Sequence, residues 1–190
     1  MIKRRLVLAT LGAFVALPAL AETQKSDAAS PEAKYIRDAL AMGSLALASS
    51  QLALQKASHP KVKEFAQFEI AEQETVADVM KSLTSEQPTR TVNPPSEAEV
   101  KQNMTPPASH QLDKLQSAQA GPEFDVAYVQ DQADGHGVLL KIHEEYLRVG
   151  RDAGAMNIAK LARTQIKEHL RLLQDAKREL AQTTAQGSAH

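Results

Sequence analysis

Four long stretches of helical periodicity, all of similar length, constrain the fold of this chain most strongly. Apolar residues recur at intervals of three and four in residues 31–57, 60–83, 122–150 and 152–182. This spacing is typical of helices that bury one face. Each helix would be about 36–42 Å long at 1.5 Å per residue. Helices of equal length that each bury one stripe predict an all-α fold, a four-helix bundle.

Prolines and small polar residues mark where these helices begin. Ser30 is a suitable N-cap for a helix whose first residue is Pro31, and Pro60 follows Ser58 and His59, either of which can cap the second helix. The stripes predict one shared dry interior that contains Phe65, Leu139 and Ile166. They also place Val149 and Leu161 on the buried side.

The lengths of the connections predict the topology. The first two helices, and likewise the last two, are joined by short links, so each pair is expected to be an antiparallel hairpin. Residues 84–121 join the pairs and contain five prolines. A link of this length can run along the whole bundle, as in ferritin-like folds with one long crossover. An up-down-up-down bundle with an irregular insertion is the alternative.

Within this crossover, two shorter helical signals are present. Residues 96–99 have the Ser-x-x-Glu spacing of a capping box, and residues 109–118 have the composition of a short helix across one end of the bundle.

The first 21 residues have the organisation of a secretory signal peptide. Three basic residues precede an apolar run over residues 6–17, and Ala19-Leu20-Ala21 is a cleavage pattern. A run of about 12 residues is short for a membrane span, which needs about 20, although an uncleaved anchor is the alternative. The sequence thus predicts a periplasmic protein with no transmembrane span after cleavage, and outer-membrane association is compatible with it. We expect a flexible N-terminus over 22–30, a bundle domain over 31–182 and a disordered tail over 183–190.

Charge and cysteine content exclude several classes of function. Without Lys3, Arg4 and Arg5 the chain has 19 basic and 23 acidic residues, a net charge of −4. No basic block is present to neutralise a run of phosphates, so we expect no nucleic-acid partner. The absence of cysteine excludes disulfides, thiolate metal sites and thiol nucleophiles.

Acidic and histidine side chains near the stripes are candidate metal ligands. A di-iron centre in a helical bundle uses Glu-x-x-His pairs, and this sequence has none. A looser site for a divalent metal is predicted from five residues whose oxygen and nitrogen atoms suit zinc, copper or iron: Glu69, Glu72, His136, His143 and His169. The alternative interpretation is that they form a hydrogen-bonded polar layer, because buried charges need partners in any case.

Three segments carry a resemblance to a known family. They are QLALQKASHPKVKEFA at 51–66, GPEFDVAY at 121–128 and IKEHL at 166–170. In this order they resemble the bacterial domain-of-unknown-function family 4142. The resemblance implies a ferritin-like bundle and export, and it implies no particular activity.

The chain departs from the family pattern at polar positions. Where the family has Asp-His pairs, this sequence has Glu72-Gln73 and Gly135-His136, and Ala46 and Ala48 replace acidic residues of the first helix. The resemblance therefore implies that a polar site in this member is weakened.

Together these observations predict an exported cell-envelope protein that is a non-catalytic binding or structural module, with no cofactor required and a protein or envelope partner. The alternative is a ferritin-like metal-binding protein with a degenerate His/Glu site between helices. A third hypothesis is that the proline-rich crossover contacts a membrane or a partner.

Overall fold

The computed structural model describes residues 29–83 and 89–187, which form six α-helices and no strand. The helices are α1 (Pro31–Lys56), α2 (Pro60–Ser82), α3 (Glu97–Asn103), α4 (Pro106–Ser117), α5 (Pro122–Val149) and α6 (Ala153–Gly187). The predicted all-α class is confirmed. The predicted signal peptide lies outside the described residues. In the part that is described, no helix has the length and apolar character that a membrane span requires.

The first two helices begin as predicted, but the second is capped differently. The Ser30 hydroxyl accepts a hydrogen bond from the Ala33 amide at 3.1 Å. At α2, His59 occupies the predicted N-cap position, but its side chain makes no capping hydrogen bond. Instead Asp125 of α5 accepts hydrogen bonds from the Ser58 and His59 amides, at 3.0 and 2.9 Å. The cap of α2 is therefore a tertiary contact.

The crossover is largely helical. Ser96 and Glu99 form the predicted capping box at the start of α3. The predicted second helix is α4, which begins earlier, at Pro106, with Thr105 as its cap. Both short helices pack against α1, and α4 also contacts α5.

Contacts between the long helices define their directions. Tyr35 and Ser50 of α1 contact His143 and Tyr128 of α5, so α1 and α5 run in opposite directions. Phe65 lies against Tyr128, and Glu69, about one turn further along α2, lies against His136, about two turns further along α5. Thus α2 and α5 run in the same direction, as a crossover along the length of the molecule requires.

The apolar interior is divided, in contrast to the predicted continuous core. Phe65 belongs to a cluster with Tyr128 and Leu173, whereas Leu139 and Ile166 form another with Ala162. A third cluster surrounds Tyr35, Met80 and Tyr146. The prediction of one dry interior is wrong because buried polar side chains interrupt it. The ring of Phe65 borders this polar layer, 5.3 Å from the ring of His169.

The hydrophobic periodicity also predicts two residues at the edges of stripes to be buried, and both are exposed. Leu161 is 71% exposed and Val149 is 52% exposed, although the pattern predicts both on the buried side. Periodicity gives the centre of a buried stripe but not its width, which depends on where neighbouring helices lie. Helix α6 continues past the predicted end at Gln182 to Gly187, and so includes the first part of the predicted disordered tail.

Candidate metal centre

Three buried side chains from three helices converge at the polar layer. Glu69 comes from the middle of α2, His136 from α5 and His169 from α6, and they are 0%, 1% and 8% exposed. Glu69 Oε2 lies 3.3 Å from His136 Nε2 and 3.1 Å from His169 Nδ1. The two nitrogens are 3.1 Å apart. One oxygen and two nitrogens therefore form a nearly equilateral triangle.

The size of this triangle matches one face of a metal coordination sphere. Zinc binds histidine nitrogen and carboxylate oxygen at about 2.0–2.2 Å in tetrahedral geometry, which places neighbouring ligand atoms about 3.3 Å apart. The observed separations of 3.1–3.3 Å are close to this value. An ion could thus be coordinated by the three atoms without a rearrangement of the helices.

The outer contacts of the two histidines determine which ring nitrogen faces inward. His136 Nδ1 lies 2.8 Å from the backbone oxygen of Gln132, which can only accept, so Nδ1 carries the proton and Nε2 is free. His169 Nε2 lies 3.2 Å from Glu72 Oε2, which leaves Nδ1 for the centre. Outer partners of this kind orient metal-binding histidines and fix their tautomers.

Glu69 is ionised and has one oxygen without a hydrogen-bond partner. Gln73 donates a hydrogen bond to Oε1 at 2.9 Å. Oε2 lies beside the two imidazoles, 3.3 Å from His136 Nε2 and 3.1 Å from His169 Nδ1. Burial would raise the pKa of Glu69, but the interactions with His136 and His169 outweigh it and lower the pKa to about 2. A buried anionic oxygen is therefore directed at two imidazole nitrogens.

A second layer of polar contacts supports this arrangement. Gln132 donates a hydrogen bond to the Ser49 hydroxyl at 2.8 Å, and Ser49 donates in turn to the backbone oxygen of Leu45 at 2.7 Å. On α1, Gly43 leaves room for the Gln73 amide, because a Cβ there would lie 2.5 Å from Gln73 Oε1. Helix α1 thus contributes to the site without supplying a ligand.

Narrow clefts reach the layer from the side of α1. One is lined by His136 and Gln132, the other by Gln73 and Gly43, and each has a volume of about 10 Å³, the space of about one water molecule. At the α2–α6 boundary, the side chains of Glu72 and His169 are each 10% exposed. Solvent access to the polar layer is therefore narrow on both sides.

One protein family matches most of the chain. The model described as "Domain of unknown function (DUF4142)" matches residues 17–176. The chain belongs to the DUF4142 family. The resemblance that the sequence motifs carry is therefore confirmed. No curated protein matches the sequence significantly.

A solved structure is also similar to this DUF4142 protein. It is described as CopM in the Cu(II)-bound form, and the match has a TM-score of 0.59 at 17% sequence identity. The match covers 78% of this chain and 96% of that one. At this level of identity the likeness shows a shared fold.

The structure brings together four of the five predicted residues and separates the fifth. Glu69, His136 and His169 supply the inward atoms, while Glu72 is the outer partner of His169. His143 lies elsewhere, with its Nδ1 3.0 Å from the Tyr35 hydroxyl. Its place on the same face of α5 was predicted correctly, but seven residues along a helix is about 10 Å, too far to share one ion with His136.

Gln73 departs from the DUF4142 pattern but still makes a polar contact in the candidate site. It occupies a position where the family resemblance leads one to expect histidine, and here its amide holds Glu69 in place. The sequence reasoning missed Gln73 and Gln132 as supporting residues. Gln73 follows Glu69 by four residues on α2, a spacing that could have indicated the contact.

Proposed function

We propose that this protein binds a single divalent transition-metal ion through Glu69, His136 and His169. The observation that carries the proposal is the triangle of one anionic oxygen and two imidazole nitrogens, each held by a contact on its other side. Gln73, the Gln132 carbonyl and Glu72 are these outer contacts. A hydrogen-bonded polar layer would also need partners, but here the three partners leave one ligand atom of each side chain directed to a common point.

Electrostatics also favours a cation at this point. When both imidazoles are neutral, with protons on Nδ1 of His136 and Nε2 of His169 at their outer contacts, three lone pairs face each other in a buried space. Such an arrangement is stabilised only by a proton shared among them or by a metal ion, since buried charge must be compensated. A metal ion compensates all three atoms at once, whereas one proton cannot lie between all of them.

Ligand chemistry selects the class of ion. Two imidazoles and one carboxylate suit zinc, copper, iron or nickel, and not the oxygen-rich sites of calcium or magnesium. The near-tetrahedral spacing suits Zn(II), and the order of stability of divalent ions places Cu(II) highest. The copper-bound state of the structurally similar CopM supports the same class. We therefore propose Cu(II) or Zn(II) as the bound ion.

The proposal also includes the fold around the site and the compartment in which the protein acts. The directions of the four long helices, with α2 and α5 running the same way, support a ferritin-like four-helix bundle joined by the α3–α4 crossover. The N-terminal sequence supports export to the periplasm, where such a protein would hold or buffer metal ions. Release of the protein by osmotic shock, with residues 1–21 missing by mass spectrometry, is the expected result of a fractionation experiment.

Equilibrium metal binding tests the function. We expect the purified chain, stripped with a chelator and titrated with Cu(II) or Zn(II), to bind one ion per molecule. The double variant His136→Ala, His169→Ala is expected to lose this stoichiometric binding. His110→Ala is the matched control, because His110 is an exposed histidine on α4. Circular dichroism would verify that all variants are helical.

Two outcomes would overturn the proposal. One is a wild-type chain that binds neither ion stoichiometrically, which would assign the three side chains to a proton-sharing polar layer. The other is unchanged binding in the double variant, which would place the ion elsewhere.

A further inference from the structure

The contact between α2 and α6 changes in character along its length. Near its two ends α2 packs through apolar residues, with Phe65 in the cluster of Leu173 and Met80 in the cluster of Ala155. Among the described residues, the middle apolar cluster around Leu139 contains none from α2. At this level the two helices meet through ionisable side chains instead.

Three ionisable groups form the boundary at the middle level. His169 of α6 has its Nδ1 3.1 Å from Glu69 Oε2 and its Nε2 3.2 Å from Glu72 Oε2. The side chains of Glu72 and His169 are each 10% exposed, so the outer end of this row of atoms reaches solvent. Water can replace the partners of polar side chains when such a contact opens, whereas an apolar contact that opens exposes apolar area. The outer contact therefore opens at lower cost than the packing at either end of α2.

The two clefts on the side of α1 are less favourable routes for a cation. One is lined mainly by apolar side chains such as Leu45 and Leu112, and it ends at His136. The other ends at Gln73, whose amide donates to Glu69. An apolar passage disfavours a charged ion. On either route a side chain that holds the centre together would also have to be displaced.

Carboxylates surround the boundary between α2 and α6. Glu168 is exposed and follows His169 on the same helix by one position towards its start, and its charge acts on both Glu72 and His169. The basic residues nearest to it in the sequence of α6 pair with other acids: Lys167 with Glu144, and Arg171 with Asp175. A cation that approaches this boundary from solvent is therefore attracted to it.

We propose that the metal ion enters and leaves the centre between α2 and α6, where Glu168 attracts it and Glu72 and His169 form the gate. This inference rests on the proposed metal site. The ion first meets the Glu72 carboxylate, the His169 side chain turns outward, and the ion passes to Glu69 Oε2, the buried oxygen without a hydrogen-bond partner. When His169 returns, its Nδ1 becomes a ligand and its Nε2 contacts Glu72 again, which closes the entrance.

Association kinetics of Cu(II) with the chelator-stripped chain test this entrance. Tyrosine fluorescence, which bound Cu(II) quenches, follows the reaction, because the ring of Phe65 lies 5.3 Å from the ring of His169 and 6.4 Å from that of Tyr128. We expect Glu168→Gln to bind Cu(II) about threefold more slowly than the wild type at low ionic strength. The difference should disappear at about 1 M salt, where the screening length is about 3 Å. The dissociation rate, measured by displacement with a chelator, should change less, since Glu168 supplies no ligand atom.

Two control variants separate the entrance from other effects of charge. Glu145→Gln makes the same change of charge at an exposed position of α5 whose charge acts on Lys34 of α1, away from this boundary. Asp131→Asn removes a carboxylate from the cleft on the side of α1. Both should associate with Cu(II) at the rate of the wild type. Circular dichroism would verify that each variant is helical.

Equal association rates of the wild type and Glu168→Gln at low ionic strength would overturn the proposal. Slower association of Asp131→Asn would overturn it as well, because it would place the entrance on the side of α1. In a chain that binds one ion, either result contradicts only the entrance. A wild type that binds no ion would contradict the metal site itself, and the entrance with it.

Discussion

Gln73 donates a hydrogen bond to Oε1 of Glu69 at 2.9 Å and thereby leaves Oε2 to the two histidines. The two residues are one turn apart on α2. This contact decides which oxygen faces the centre, and it depends on the space that Gly43 leaves on α1. The geometry of the candidate site is therefore determined by residues that contribute no ligand atom.

Substitution of Gly43 by alanine is expected to weaken metal binding without touching a ligand. The new Cβ would lie 2.5 Å from Gln73 Oε1, so the amide must shift, and we expect this to weaken its hydrogen bond to Glu69. Loss of an outer partner reduces metal affinity by about 10–100-fold. Isothermal titration measures this change, with Gly137→Ala as control, since a Cβ there meets no atom within 4 Å. Equal affinities of the two variants would contradict the role of Gln73.

Metal binding is expected to release protons near neutral pH. Burial lowers the pKa of His169, but Glu69 and Glu72 outweigh it and raise the pKa above its ordinary value. An incoming ion must displace that proton from Nδ1, so affinity falls as the pH is lowered through this pKa. Calorimetry in buffers of different ionisation enthalpy counts the protons. Glu72→Gln should release fewer of them at the same pH, and equal release would contradict the assignment.

His143 should make the protein less stable in mild acid. Burial lowers its pKa from 6.5 to about 4. The folded state then binds fewer protons than the unfolded chain between these pH values, so the free energy of unfolding falls as the pH is lowered from about 6.5 to 4, by up to about 3 kcal/mol. The raised pKa of His169 acts in the opposite direction, with stability lost as the pH rises.

Comparison with a variant separates these two effects. Urea unfolding of the wild type and of His143→Gln at several pH values should show the loss toward acid in the wild type and a weaker one in the variant. Identical pH dependence in both would show that His143 does not contribute.

Asp125 is expected to be one of the most sensitive positions for stability. Its side chain is 1% exposed and accepts bonds from two backbone amides and the Ser58 hydroxyl, so Asp125→Ala leaves the start of α2 uncapped. The expected loss is about 2–4 kcal/mol in the free energy of unfolding. Asp134→Ala, at an exposed position of the same helix, should change the free energy of unfolding by less than about 0.5 kcal/mol. Similar losses in both variants would contradict the tertiary cap.

Much of the fold could be predicted from the sequence because local signals determine it. Ser30 and the prolines at 31, 60 and 122 mark helix starts through backbone chemistry alone. The capping box of Ser96 and Glu99 is likewise local. The contribution of Asp125 was not predictable, since its partners are more than sixty residues away. The exposure of Leu161 was not predictable either, because it depends on how α6 is rotated about its axis relative to the neighbouring helices.

The candidate site was partly predictable for a similar reason. Helical spacing puts Glu69, His136 and His169 on inward faces, and equal helix lengths allow them to meet at one level. The prediction also included His143, although seven residues along one helix, about 10 Å, separate it from His136. The spacing of four residues permits the contact of Gln73 with Glu69, but the space beside Gly43 that the Gln73 amide occupies depends on the packing of α1 against α2.

X-ray absorption spectroscopy of the zinc- or copper-loaded chain reports the atoms bound to the ion and so identifies its ligands. We expect two imidazole nitrogens and one carboxylate oxygen at about 2.0–2.2 Å, with any remaining position taken by a small ligand such as water. Glu69→Gln should alter the oxygen contribution, and His136→Ala should remove one imidazole. A spectrum without imidazole scattering, or one that these substitutions leave unchanged, would contradict this ligand set.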